Sequence, residues 1–114
     1  MAIMTDMTES NREIEKIVKI ICESVKCERI YLFGSRADGQ PDESSDFDFY
    51  VVLPDGFLRP LEARRKIYRG LAALRPKKPV DIIANYAGVF SEMSRLPTLE
   101  RQIAQNGILL YEHG

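Results

Sequence analysis

Histidine is nearly missing from this sequence: the one copy, His113, stands next to the last of 114 residues. Chain ends fray, so imidazole-based catalysis or metal binding has almost no place to sit. Cysteine is also scarce, with Cys22 and Cys27 alone and no second pair at metal-ligand spacing. That excludes a disulfide scaffold and a cysteine zinc site, and fits reduced thiols in a cytoplasmic protein. Charge of one sign is not in excess either, since 16 Lys and Arg face 17 Asp and Glu for a net charge of -1. Direct nucleic-acid binding through bulk positive charge is therefore not expected. No apolar stretch approaches the length that spans a membrane, and Met1 to Ser10 carry acids and hydroxyls where a secretory signal needs a basic start and an apolar run. The length suits one compact domain, residues 1–114, with a buried core.

What is present is a clear alternation of helical and strand patterns. Ser10-Asn11-Arg12-Glu13 matches a capping box, and Ile14, Ile17, Val18, Ile21 and Val25 follow at helical spacing. Arg29 to Phe33 is β-branched and aromatic without polar alternation, which predicts a strand buried on both faces and ended by Gly34. Gly34 to Ser45 reads mostly as loop, and Phe47 to Leu53 as a second, central strand. After the Pro54-Asp55-Gly56 turn, Leu61, Ile67, Tyr68, Leu71 and Leu74 mark one face of a second helix closed by Arg75-Pro76. Val80 to Ala84 is a third strand. A last helix starts at Pro97 and ends at Asn106-Gly107, and Ile108 to Tyr111 is a final strand. This order predicts an α/β (α+β) fold, a small mixed sheet of about four strands covered by helices. The first two strands lack a crossover helix between them and are expected to pair antiparallel.

The chemistry concentrates in a few residues. Asp46 and Asp48, two apart in an extended segment, point to one face with Cα atoms roughly 6 to 7 Å apart. Two carboxylates together in an apolar strand repel and lose hydration, a cost that a divalent cation removes. Asp81 repeats the pattern in the third strand, and if that strand neighbours the second, all three acids meet. Oxygen-only ligands suit Mg²⁺ or Mn²⁺, and two such ions can stabilise both the attacking and leaving oxygens of a phosphoryl displacement. Gly34-Ser35 at the end of a buried strand lets a phosphate approach the backbone, with Arg36 as a positive partner. Each piece alone has a plainer reading: a strand-ending turn at Gly34-Ser35, loop-capping acids at Asp46 and Asp48, and a strand-end acid beside Lys77 or Lys78 at Asp81. Asp42 and Glu43 read as solvated loop acids.

Taken together, Gly34-Ser35, ten intervening residues, then Asp46-Phe47-Asp48 and an apolar strand resemble the signature of the minimal nucleotidyltransferases of the DNA polymerase beta superfamily. The resemblance runs from the helix before Tyr31 through Val80-Asp81-Ile82-Ile83 to Gly107-Ile108-Leu109-Leu110-Tyr111. It implies a nucleotidyltransferase fold with helices packed behind the sheet, Gly34 and Ser35 binding the triphosphate, and Asp46 and Asp48 coordinating metals. Asp81 would complete the metal site and favour deprotonation of the acceptor hydroxyl. One departure is Asp38, where many relatives carry a second basic residue.

The expected reaction is transfer of a nucleoside monophosphate, AMP from ATP, to a hydroxyl. A chain this short has little left for a second substrate pocket, so the acceptor is expected on another chain. Stand-alone members of the resembled family often act as antitoxins beside a HEPN-domain toxin, a helical ribonuclease, and can attach AMP to a tyrosine of it; for this chain a homo- or hetero-oligomer is compatible with that expectation. Two rivals stand beside that expectation. One is a catalytically silent antitoxin acting by contact; the other is a transferase for a small hydroxylated molecule such as an aminoglycoside. Arg59, Arg64, Arg65, Lys66 and Arg69 on the second helix form either a partner-facing basic cluster or a solvated face.

Overall fold

The computed structural model describes residues 9–34 and 46–113. In chain order the elements are α1 (Glu9–Ser24), β1 (Arg29–Phe33), β2 (Phe47–Leu53), α2 (Pro60–Leu74), β3 (Val80–Tyr86), α3 (Ala87–Met93), α4 (Leu99–Asn106) and β4 (Ile108–Glu112). The strands form one sheet in the order β3-β2-β1-β4. β1 runs antiparallel to both β2 and β4, while β2 and β3 run parallel. The sheet is therefore mixed, with β2 inside it.

Alternation along β2 decides what covers each face. Phe47, Phe49, Val51 and Leu53 are fully buried among Ile14, Ile17, Val18 and Ile21 of α1 and Ala63, Ile67 and Leu71 of α2. Their neighbours Tyr50 and Val52 join Tyr31, Phe90 of α3 and Ile103 of α4 on the opposite face. Helices thus cover both faces of the sheet, in line with the expected small mixed sheet covered by helices. On the second face Phe90 stacks on Tyr31 with ring centroids 5.4 Å apart and meets Tyr50 edge-on at 5.1 Å. The Tyr50 hydroxyl donates to Glu100 Oε2 at 3.0 Å, which fixes α4 to the sheet.

Several local expectations are corrected. α1 already includes Glu9 and Ser10, so Ser10 lies within the helix and is not its cap. Glu13 instead accepts a hydrogen bond from the Lys77 amide at 3.0 Å, tying α1 to the turn after α2. Leu61 is 55% exposed because the inward stripe of α2 is Ala63, Ile67 and Leu71. That helix ends at Arg75, whose left-handed backbone (φ 53°) returns its amide to Leu71 O. α4 starts at Leu99, not at Pro97, and Thr98 caps it, accepting from the Arg101 amide. α3 was not expected at all; the Gly88 amide in its first turn donates to Asp55 Oδ1 at 2.8 Å.

The free edge of β3 is covered by α2. Ile82 donates its amide to the Tyr68 hydroxyl at 2.9 Å and receives Arg64 Nε on its carbonyl at 2.9 Å. Both edge groups are thereby removed from pairing with another strand. Arg64 therefore serves the fold, while Arg65, Lys66 and Arg69 remain exposed. Both cysteines are free thiols. Burial pushes the Cys27 thiol up to about 12, with the nearby Cys22 adding to the shift, so its reactive thiolate is disfavoured. No helix among the described residues is long and apolar enough to cross a membrane.

Candidate active site

Strand register brings the acids together. β2 and β3 pair in parallel with Asp48 directly beside Asp81, and β1 pairs with β2 so that Phe33 lies beside Asp48 on the other side. Because Phe47, Phe49 and Ile82 point into the α1/α2 core, Asp48 and Asp81 both project from the second face. Asp46 precedes β2 by one residue and is exposed.

The electrostatics agree with this placement. The Asp48 carboxyl is raised above its ordinary range, first by partial burial, then by the negative charges of Asp81 and Asp46 and by a side-chain hydrogen bond with Asp81. A carboxyl in this setting holds its proton more tightly than a free one, and a nearby positive charge would offset that shift. The oxygen pair therefore fits a hard divalent cation. Asp46 acts on Asp48 through its charge. Among the described residues no group of three acid, histidine or cysteine side chains is gathered tightly enough to hold a metal ion.

Gly34 closes the site from the β1 side. Its backbone is left-handed (φ 79°), and a Cβ built there would lie 2.5 Å from Asp48 Oδ2. Both facts demand glycine: the conformation is strained for any side chain, and the carboxylate occupies the space a methyl group would need. The bare backbone of the strand-ending turn therefore abuts the acid. Ser35 and Arg36, the other expected phosphate partners, lie outside the described residues, as do Asp38, Asp42 and Glu43.

Sequence reasoning missed what α4 adds. Leu99, Gln102, Ile103 and Asn106, together with Phe33, Gly34 and Gly107, line a partly open hollow of about 280 Å³ directly beside the Gly34 turn. The only cue in the sequence is the i, i+3, i+4, i+7 spacing of those four α4 residues, in which two carboxamides look like ordinary solvated positions.

A mixed four-stranded sheet with four helices among the described residues, and acids in register on its two parallel strands, defines the α+β nucleotidyltransferase fold. The family described as Polymerase beta, Nucleotidyltransferase matches residues 15–114, and the chain belongs to it. A search of curated proteins finds no match. Among solved structures, a toxin-antitoxin structure with AMP-PNP is 26% identical with a TM-score of 0.60, covering 87% of this chain and 73% of its own. A variant of the toxin-antitoxin pair MntA-HpeT is 27% identical with a TM-score of 0.60, over 88% of this chain and 72% of its own. A proposed nucleotidyltransferase from Sulfolobus solfataricus, 22% identical with a TM-score of 0.62 over 90% and 79%, shares the fold.

Proposed function

We propose that this chain transfers AMP from ATP to a hydroxyl on a partner protein, and that it does so in the cytoplasm as the antitoxin of a HEPN-domain ribonuclease toxin. The observation that carries the transfer reading is the row Asp81, Asp48, Gly34 across three adjacent strands: paired carboxylates with a side-chain-free backbone turn against them. The partner reading is supported by the likeness to toxin-antitoxin structures, one of them with AMP-PNP.

In this mechanism the acceptor oxygen attacks the α-phosphorus in line. A new P–O bond forms as the bond to the bridging oxygen breaks, and pyrophosphate leaves. Gly34 and Ser35 receive the triphosphate on backbone and hydroxyl donors, and Arg36 offsets its charge. Asp46, Asp48 and Asp81 would hold Mg²⁺ or Mn²⁺, two ions in the full arrangement, which would neutralise phosphate charge and ease ionisation of the acceptor hydroxyl. Asp81, on the side of Asp48 away from Gly34, would orient that hydroxyl and favour loss of its proton. The contribution of the protein is positioning and electrostatics, since phosphoryl transfer needs little covalent help.

The test is to incubate the purified chain with Mg²⁺, α-labelled ATP and either the protein encoded beside it or an aminoglycoside, and to follow the label by gel and thin-layer chromatography. Label on the partner, with loss of its ribonuclease activity, is the expected result. A tight complex without label would establish a silent antitoxin acting by contact, and label on a small hydroxylated molecule such as an aminoglycoside would establish the third reading; either overturns protein modification.

A further inference from the structure

The hollow beside Gly34 lies on the opposite side of Asp48 from Asp81. Running across the second face of the sheet, the order is Asp81, Asp48, Phe33-Gly34, and then the hollow under α4. Leu99, Gln102, Ile103 and Asn106 recur at i, i+3, i+4 and i+7, so one stripe of α4 faces the end of β1. Ile103 is buried and anchors the stripe, while Gln102 and Asn106 are exposed at the rim. The Tyr50 hydrogen bond to Glu100 holds the first turn of the helix in place.

We infer that this hollow seats the nucleobase of the triphosphate, with Gln102 and Asn106 reading the base edge and selecting adenine. The inference rests on the nucleotidyl-transfer reading and adds to it the residues that choose the nucleotide. Apolar walls from Phe33, Leu99 and Ile103 suit the faces of a planar ring, and a volume of about 280 Å³ lies near the lower limit of small-molecule sites, roughly 300 Å³. The polar atoms decide between occupants. A carboxamide offers a donor and an acceptor side by side, the complement of an adenine edge with its amino group and ring nitrogen. The ring of an acceptor tyrosine has no such edge, because its one hydroxyl must reach the α-phosphate. Contact of the hollow with Gly34 joins it directly to the turn that holds the phosphates.

Calorimetric titration of the chain in Mg²⁺ with ATP, GTP and inorganic tripolyphosphate tests this, using Gln102→Ala, Asn106→Ala and Leu99→Trp. The expected results are a preference for ATP over GTP that falls about tenfold in each carboxamide variant, with tripolyphosphate affinity unchanged. Leu99→Trp, which fills the hollow, should reduce ATP affinity to that of tripolyphosphate. Thermal melts check that each variant remains folded; these positions are exposed, so little change is expected. ATP preference unchanged in all three variants, or equal affinity for ATP and GTP in the parent chain, overturns the base pocket and leaves the transfer reading standing. Binding of neither ATP nor tripolyphosphate to the parent chain overturns both.

Discussion

The two faces of the sheet are built from the same strands and used for opposite purposes. Against α1 and α2, β2 presents Phe47, Phe49, Val51 and Leu53, all fully buried. Against α3 and α4 it presents Val52 and Tyr50, which are buried, and then Asp48, which is half-buried. The first face maximises apolar burial along its whole length. Among the described residues, the second is packed around Phe90 and Ile103 and carries a hollow beside Gly34. A strand buried on both sides can thus carry acids without loss of the core, because alternation separates the two tasks residue by residue.

Substitutions on the two faces should therefore separate stability from function, here in order of their expected effect on stability. Phe49→Ala empties a fully buried site on the closed face and should destabilise the chain by about 3 to 5 kcal/mol, read as a lowered denaturation midpoint. If the variant melts like the parent, the closed face is not the main source of stability. Gly34→Ala should cost roughly 1 to 3 kcal/mol from its positive φ and its contact with Asp48. Unlike Phe49→Ala, it should also weaken tripolyphosphate binding at temperatures where the protein remains folded. Unchanged binding in folded Gly34→Ala would remove the turn from the site.

Most of this division was legible in the sequence because apolar runs without alternation mark inner strands, and an acid inside such a run stands out. Arg29 to Phe33 and Phe47 to Leu53 coincide with β1 and β2 for that reason. The third strand runs two residues further than expected, through Asn85 and Tyr86, whose polar groups do not look like strand interior. α3 went unseen because its seven residues contain glycine and serine and bury one side chain, Phe90, so no helical period can build up. Leu61 looked inward because an apolar residue near a helix start is ambiguous until the neighbouring elements fix the rotation of the helix. Gly34, Asp48 and Asp81 stood out by residue type and spacing; their adjacency required strand order, which the sequence does not state. The role of Arg64 on the β3 edge depends on that same order and was hidden in a basic cluster.

Asp48 is held near the negative charges of Asp81 and Asp46, an arrangement that a bound cation would relieve. Its raised pKa means that the folded chain binds the proton more tightly than the unfolded chain does. Ionising it therefore costs stability as pH rises from the unfolded value through the folded one, and the full cost is present above both. The most direct measurement is Asp48→Asn, assayed for AMP transfer in Mg²⁺ and melted without metal from pH 3 to pH 8. The variant should lose transfer by about two orders of magnitude or more. It should melt above the parent at pH 7, with the gap closing as the pH falls into the range where the parent carboxyl is protonated. Retained transfer, or a melting point below the parent at neutral pH, would contradict that reading of Asp48.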